Sequence, residues 1–303
     1  MHARLSPLRY PGGKGSLQSL VSNILNLNQL KPDHYVEPYA GGGSLALAML
    51  FGGHVRSIHL NDLDSAIWNF WHSLLHHTED FVALIKQTPI TIEEWHRQRA
   101  VQKSPDNHTR LQRGFATFFL NRTNRSGIIK KAGVIGGLAQ NGPYKLDCRF
   151  NKANLIHRIE RIAKYKSRIH VSGEDATDFL QRKQWRNMKS VFFFIDPPYI
   201  AKGASLYTNH YEPDDHAKVA KVIRRLAHPW LVTYDCAPQI ADYYAGQKLA
   251  SYAINYSANI KRKGKEFLIA SKHLGLPSCL ETESRAIERN SINKHLALQD
   301  GTP

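Results

Sequence analysis

The sequence predicts an α/β protein: a mostly parallel sheet with a helical, basic insertion. Short apolar segments typical of buried strands occur before about residue 65 and again after about residue 166. Helical segments separate these strands, and strands that alternate with helices usually form parallel sheets. Between the two regions the apolar spacing is helical, with one glycine-rich excursion.

The first strand and turn lie in the segment DHYVEPYAGGG, which ends a strand at a glycine-rich turn. SLALAMLF then opens a helix, and RSIHLNDLD is a second short strand that ends in acids. These elements predict the first part of a sheet domain at residues 1–65.

The insertion is predicted at residues 66–165. Thr91 and Glu94 form a possible capping box, and Asn141-Gly142 suggests a hairpin or loop tip. Three helical faces are marked by apolar residues at helical spacing: Ile67, Phe70, Trp71 and Leu74; Leu111, Phe115, Phe118 and Phe119; and Leu155, Ile159 and Ile162.

Strands return in the second part of the sheet domain, predicted at residues 166–274. RIHVSG, VFFFID and WLVTYD are typical of buried strands, and HAKVAKVIRRLA is a helix between the last two. SYAINYS and EFLIAS can pair antiparallel across the basic loop ANIKRKGK. Residues 275–303 are predicted to be a polar, partly disordered tail.

Composition narrows the class of protein. The chain has 303 residues and 42% hydrophobic content, enough for a sizeable core. It has no apolar run near the roughly 18 residues that span a bilayer, and its N-terminus lacks a secretory h-region. Its three cysteines are widely spaced, and none of its 16 histidines has convincing metal spacing, so we expect no disulfide framework and no metal site. A reducing cytoplasm is the expected location.

Positive charge is concentrated in one part of the chain. The protein has 41 Lys and Arg residues against 25 Asp and Glu, a formal net charge of +16. From Arg97 to Arg168 there are 17 Lys and Arg but three acids. A solvated helical face accounts for some of this charge, but so long a one-signed segment is more typical of a nucleic-acid-binding surface.

The glycine turn predicts a nucleoside cofactor. Gly41, Gly43 and Ala46 fit G-x-G-x-x-A between a strand and a helix, and Asp62 ends the next strand, where an acid can accept hydrogen bonds from ribose hydroxyls. Glu37 begins the turn, and a carboxylate would repel the pyrophosphate of a dinucleotide but attract the cationic end of S-adenosylmethionine (SAM). The alternative is that Glu37 only caps or pairs locally.

The tetrapeptide Asp196-Pro197-Pro198-Tyr199 follows a buried strand at the edge where α/β sheets bind ligands. Asp196 and the carbonyl of Pro197 can accept the two hydrogens of an exocyclic amine, which stabilises the charge that develops on its nitrogen. The prolines hold the turn rigid, and Tyr199 offers a ring on which a flipped base can stack. The alternative is that the tetrapeptide merely ends a strand.

Six segments, in this order, resemble the DNA adenine-N6 methyltransferases of the alpha, or D12, group, the Dam-type and restriction-modification enzymes. They are RYPGGKGSL, VEPYAGGGSLAL, NDLD, FFLNRTNRSG, GEDATDF and FFFIDPPY, and the resemblance runs from residue 8 to about 270. It implies a Rossmann-like SAM-dependent methyltransferase sheet with an inserted, mostly helical target-recognition domain. It also implies methyl transfer from SAM to N6 of adenine in double-stranded DNA, with base flipping.

The resemblance also implies roles for single residues. Tyr10 and Lys14 would contribute to the SAM pocket, and the glycine-turn motif runs from Glu37 to Gly43. The turn carries Pro38 and Tyr39 where many members have an apolar residue or phenylalanine, and we expect little effect because aromatic character is kept. The remaining residues implied for cofactor binding are Tyr39, Gly41, Asp62, Asp175 (with Glu174 as the alternative) and Asp196.

DNA contacts are predicted in two places. Arg122, Arg125, Lys130 and Lys131 flank a glycine-rich stretch of the insertion that could approach DNA closely. The basic loop at 259–265 is either a phosphate clamp or a solvated hairpin tip, and its predicted contacts are Lys261, Arg262 and Lys263. His216 is expected to be structural or to contact DNA rather than to act as a general base.

Three alternatives to the adenine reaction stay open: methylation of cytosine N4, methylation of RNA, and a DNA-binding relic with a dead site. Asp196 favours adenine over cytosine, because enzymes that modify cytosine N4 more often begin the tetrapeptide with Ser. The expected partner is double-stranded DNA, with or without a cognate restriction endonuclease, for a protein acting as a monomer in the cytoplasm.

Overall fold

The computed structural model describes residues 5–10, 13–200, 211–256, 262–278 and 280–282, without the side chains of 253–263 and 281–282. Eight strands in these ranges form one sheet. They are β1 (His34–Glu37), β2 (Ser57–Asn61), β3 (Ile169–Ser172), β4 (Val191–Ile195), β5 (Trp230–Asp235), β6 (Lys248–Tyr256), β7 (Arg262–Ala270) and β8 (Glu281–Thr282).

The strand order in the sheet is β3-β2-β1-β4-β5-β7-β6-β8. The strands β1 to β5 are parallel to one another, while β7 is antiparallel to both β5 and β6. The chain winds outward from β1 in one direction and from β4 in the other, so the order reverses between these two strands. Open α/β sheets bind their ligands at the carboxyl ends of strands at such a switch point.

The predicted helices are present, and α2 coincides with the segment SLALAMLF. The α-helices of the described residues are α1 (Gln18–Leu27), α2 (Ser44–Phe51), α3 (Ser65–His76), α4 (Thr78–Gln87), α5 (Ile92–Lys103), α6 (Arg110–Thr123), α7 (Lys152–Ala163), α8 (Ala176–Gln181), α9 (Lys183–Asn187), α10 (Pro213–Ile223) and α11 (Pro238–Tyr243). In these described parts of the chain, no helix is long and apolar enough to cross a membrane.

Alternating residues of the central strands serve two separate cores. Tyr35, Phe192 and Phe194 point to one face, where they join the core that contains α1, α2 and the inserted helices. Val36 and Phe193 point to the other face, where they pack with α8 to α11. The period-2 alternation of a two-sided sheet therefore places a full hydrophobic layer on each side.

The inserted helices share their core with the sheet. Phe70, Phe118 and Leu155 belong to the same buried cluster as Tyr35 and Phe192. The insertion predicted at 66–165 therefore packs against one face of the sheet through the buried sides of α3 to α7.

Of the predicted capping box, one half is present. The Thr91 hydroxyl accepts a hydrogen bond from the Glu94 amide, but the Glu94 carboxylate is engaged by Arg97 and Gln98 instead of the Thr91 amide. At Asn141-Gly142, where the sequence suggests a hairpin or a loop tip, the structure has a turn-rich loop without strands.

Two sequence-based boundaries need correction. The basic loop is shorter than predicted, because the β6–β7 ladder continues to the pair Tyr256–Arg262, which places Arg262 and Lys263 in β7. Lys261 lies outside the described residues, as do residues 283–303. The polar tail predicted from residue 275 begins in ordered structure, since Gly275 hydrogen-bonds Asn28 and β8 pairs with β6.

Candidate active site

Three acids lie at the carboxyl ends of three neighbouring strands. Glu37 is the last residue of β1, Asp196 follows β4 directly, and Asp62 follows β2. All three line one pocket with an empty volume of about 1470 Å³, which includes its open mouth. The sheet topology thus brings together acids that the sequence analysis predicted for one site.

The glycine turn is shaped by two aromatic side chains. Gly41 and Gly43 have positive φ values of 46° and 57°. A Cβ atom on Gly41 would lie 2.6 Å from the Tyr10 ring, and one on Gly43 would lie 2.8 Å from the Trp71 ring. The Trp71 indole also donates a hydrogen bond of 3.0 Å to the Gly41 carbonyl. Glycine is therefore required here by backbone conformation and by close packing.

Asp62 holds this turn through its own carboxylate. Its Oδ2 accepts a 2.8 Å hydrogen bond from the Gly41 amide, and its Oδ1 accepts one of 2.9 Å from the Asp64 amide. Burial raises the pKa of Asp62 to about 7, although both hydrogen bonds lower it. The predicted ribose acid is thus positioned against the glycine turn.

Glu37 is a buried acid, 6% exposed. Its Oε1 has no hydrogen-bond partner among the described residues. Burial raises the pKa of Glu37 to about 8, and the nearby charge of Asp196 adds to this effect, while the Tyr35 hydroxyl and the Ala46 amide oppose it. A buried, unsatisfied acceptor that faces a pocket is suited to a donor or cation from a ligand.

Asp196 is held on both oxygens. Lys14 Nζ lies 2.9 Å from its Oδ2, and the Thr233 hydroxyl donates a 2.6 Å hydrogen bond to its Oδ1. Burial raises the pKa of Asp196, whereas Lys14 and Thr233 lower it. The carboxylate thus has a defined orientation towards the pocket that it lines.

Tyr199 lies behind this carboxylate. It is 7% exposed, its hydroxyl accepts a 2.7 Å hydrogen bond from Lys14 Nζ, and its ring centroid lies 5.0 Å from the same nitrogen. Pro198 lines the pocket. The ring that was predicted to stack on a base is therefore covered here, and its stacking role stays a prediction.

Two residues that sequence analysis missed support the predicted ones. Thr233 lies within the apolar strand β5, and Glu266 lies on β7 with 1% exposure, 3.8 Å from Lys14 Nζ. A polar residue within or beside an apolar strand was the sequence signal for both residues. The partner that each one contacts follows only from the strand pairing.

Part of the insertion forms a wall of the pocket. Residues 127–131 line it together with the glycine turn, and Lys130 lies 3.4 Å from the Asp64 carboxylate. Asn121 fixes this segment, because its amide donates to the carbonyls of Arg9 and Gly127. The segment predicted to contact DNA therefore also borders this pocket.

The remaining predicted DNA contacts differ in accessibility. Arg125 and Lys131 are exposed. Arg122, by contrast, is 8% exposed, because its face of α6 is covered, so it offers little surface to DNA in this structure. The backbone of Arg262 and Lys263 lies in β7.

Asp175 caps a helix. Its Oδ1 accepts hydrogen bonds from the amides of Thr177 and Asp178 at the start of α8, and the neighbouring Ala176 lines the pocket. Glu174, the alternative, is paired with Arg182. This arrangement satisfies the structural role of Asp175, and its contact with a cofactor stays a prediction.

Tyr39 and His216 belong to one aromatic group. Tyr39 lines the pocket, and its hydroxyl lies 2.7 Å from that of Tyr211. His216 is 2% exposed and hydrogen-bonds the Tyr234 hydroxyl at 3.0 Å. The structural interpretation of His216 therefore fits this packing. Across the described ranges, no group of three His, Cys, Asp or Glu is arranged to hold a metal.

Comparison with known proteins gives one family. The model of the D12 class N6 adenine-specific DNA methyltransferases matches residues 10–262. The curated proteins compared with the chain include no significant match.

Solved structures give distant likenesses. A candidate RNA methyltransferase from Pyrococcus horikoshii is 10% identical, with a TM-score of 0.42 and coverage of 88% of this chain and 89% of that one. A candidate methyltransferase, YhhF, from Escherichia coli is 12% identical, with a TM-score of 0.36 and coverage of 88% and 91%. The rRNA methyltransferase AviRa from Streptomyces viridochromogenes is 12% identical, with a TM-score of 0.40 and coverage of 87% and 86%.

Proposed function

Because the chain belongs to the D12 class N6 adenine-specific DNA methyltransferase family, and is thus a methyltransferase, we propose that it transfers the methyl group of SAM to N6 of adenine in double-stranded DNA. The observation that carries this proposal is the position of Asp196. It is a carboxylate at the switch point of the sheet, fixed on both oxygens and facing a pocket with a second buried acid, Glu37.

The residues present fit SAM. Glu37 presents a buried Oε1 without a partner, which suits the cationic methionine end of the cofactor. Asp62 has the place at the end of β2 where an acid can bind ribose hydroxyls, and Gly41 and Gly43 let the backbone approach the ligand closely. When bound, SAM supplies an electrophilic methyl group on a positively charged sulfur.

Asp196 and the carbonyl of Pro197 then act on the adenine amine. The N6 nitrogen is a poor nucleophile, because its lone pair is delocalised into the ring. The Asp196 carboxylate accepts one N6 hydrogen and the Pro197 carbonyl accepts the other. The negative oxygens of both groups stabilise the positive charge that develops on the nitrogen. Lys14 and Thr233 keep the Asp196 carboxylate in place during this step.

The methylated amine loses a proton readily, so no strong base is required. His216 is not assigned this role, since it is buried against Tyr234 and burial lowers its pKa. Asp196 is a carboxylate that lines the pocket, and it is assigned to receive this proton.

Tyr199 is assigned the stacking surface for the flipped adenine. Base–aromatic stacking is worth about 1–3 kcal/mol, which helps to offset the cost of taking a base out of a duplex. Since Tyr199 is 7% exposed, stacking requires one face of its ring to become uncovered. The exposed Arg125 and Lys131 are assigned to the DNA backbone, where positive charge supplies most non-specific affinity.

The test is to express the protein in a bacterial host without adenine methylation and to sequence its plasmid by a single-molecule method. N6-methyladenine within one short motif supports the proposal, provided that Asp196→Ala leaves no mark but still binds DNA. N4-methylcytosine overturns the choice of base. The absence of any mark from folded protein overturns the DNA substrate, and SAM binding then separates an RNA enzyme from a relic.

A further inference from the structure

Glu266 is a buried acid outside the pocket. It is 1% exposed on β7, where its direct neighbours are Asp235 on β5 and Tyr252 on β6. The Tyr252 hydroxyl donates a hydrogen bond to its Oε2. Neither Glu266 nor Tyr252 is among the described residues that line the pocket.

One ammonium group joins Glu266 to the predicted catalytic side chains. Lys14 Nζ lies 3.8 Å from Glu266 Oε2, 2.9 Å from Asp196 Oδ2, and donates to the Tyr199 hydroxyl at 2.7 Å. Lys14 itself is 7% exposed. The N-terminal segment, β4 and its following turn, and β7 thus meet at one nitrogen atom.

The charges of this cluster need an explanation. Two carboxylates share one ammonium in a buried place, and burying a carboxylate is costly even when it is paired. The next residues of β7, Phe267 and Leu268, are buried and apolar, so an apolar residue would serve strand packing at position 266. The acid is better explained by its effect on Lys14 and Asp196.

We propose that Glu266 is a positioning residue, which holds Lys14 between Asp196 and Tyr199 from the back of the site and thereby sets the Asp196 carboxylate for the reaction. The inference rests on the proposed function. The negative charge of Glu266 also favours the protonated form of Asp196. The other titratable groups around these two carboxylates are Lys14, Tyr199, Tyr252 and Asp235.

The first test is Glu266→Gln, which keeps the shape of the side chain and removes its charge. We expect kcat to fall about tenfold, while KM for SAM changes less than about twofold, because Glu266 touches neither ligand. The acidic limb of the kcat profile should move to lower pH, since Asp196 loses a neighbouring negative charge. Unchanged kcat and pH profile, or a loss of kcat without this shift, would overturn the inference.

The second test does not depend on methylation. Acetic anhydride labels lysines in the folded protein, and mass spectrometry measures each rate. Without the Glu266 charge the Lys14 ammonium loses one of the anions that hold it, so it should reach solvent more readily and its labelling should become several-fold faster in Glu266→Gln. Lys152, which donates to the carbonyls of Lys86 and Thr88, should label at the same rate in both proteins. Equal labelling of Lys14 in both would contradict the proposal.

A matched control removes charge from another buried acid. Glu94 is 6% exposed and lies in α5, where Arg97 and Gln98 bind it. Glu94→Gln should leave the pH profile and Lys14 labelling as in the wild type. The two proposals can fail separately. If the wild-type protein methylates no DNA base but Lys14 still labels faster in Glu266→Gln, the proposed function is wrong and the positioning role of Glu266 is supported.

Discussion

The hydroxyl of Thr233 in β5 donates a 2.6 Å hydrogen bond to Asp196 Oδ1, directly after β4. Thr233 is fully buried. One carboxylate oxygen is thus held by a neighbouring strand and the other by Lys14 near the N-terminus. The orientation of Asp196 depends on contacts far apart in the sequence.

Replacing Thr233→Val should lower kcat by about 10- to 100-fold, because a hydrogen bond to a charged group is worth roughly 1.5–3 kcal/mol. Thr233 lowers the pKa of Asp196, so the acidic limb of the kcat profile should move to higher pH. Steady-state kinetics across pH measures both effects. The control is Thr123→Val in α6, where the hydroxyl only donates to the Phe119 carbonyl, and it should retain the wild-type kcat.

Binding of SAM should release about one proton at pH 7. Burial raises the pKa of Glu37 to about 8, so the carboxyl is mostly protonated in the free protein at that pH. A cationic ligand beside it favours the ionised form. Calorimetry in two buffers with different ionisation enthalpies counts the protons. Glu37→Gln should abolish the release and weaken binding, and equal release from both proteins would exclude Glu37 as its source.

The stability of the free protein should fall as pH rises from about 4.5 to 8 because of Glu37 and Asp62. Their folded-state pKa values are raised from 4.5 to about 8 and from 3.8 to about 7. Between the unfolded and folded values the native state binds more protons than the unfolded state, so the free energy of unfolding decreases with pH. Urea unfolding should show a flatter dependence for Glu37→Gln/Asp62→Asn, and curves that stay parallel to the wild type would contradict both shifts.

The tight contact between Gly43 and Trp71 can be separated from backbone strain. Gly43→Ala places an alanine at a positive φ and puts its Cβ 2.8 Å from the Trp71 ring. Gly53→Ala also places an alanine at a positive φ, but its Cβ has no atom within 4 Å. Gly53→Ala should cost about 1 kcal/mol, and Gly43→Ala about 2–4 kcal/mol. Denaturant unfolding measures the difference, and equal costs would mean that Trp71 moves aside freely.

Local sequence signals predicted the sheet well. The runs VFFFI and WLVTYD became β4 and β5, and the alternation of helix and strand gave the correct parallel centre. The turn around Gly41 and Gly43 was also predicted, since positive φ values favour glycine. These features depend on side-chain type and on neighbours in sequence, which one sequence contains.

Features that depend on pairing partners were missed. Thr233 and Glu266 appear as ordinary strand residues until β5 and β7 are placed beside the end of β4. The covered position of Tyr199 depends on Lys14, which comes from the other end of the domain. Likewise, Glu94 fits the capping-box pattern in the sequence, but in the structure its carboxylate accepts hydrogen bonds from Arg97 and Gln98.

The core shared by the sheet and the inserted helices limits which parts of the insertion can be exchanged between proteins. Phe70 and Phe118 pack in the same cluster as the strand residue Phe192, and Asn121 ties the insertion to the carbonyl of Arg9. A chimera that exchanged the whole of 66–165 with a relative would cut through this packing and through the Trp71 support of the glycine turn. An exchange confined to 135–145, a part of the loop between α6 and α7 that contains no buried residue, would leave this core unchanged, so grafts of that smaller segment are the ones expected to fold.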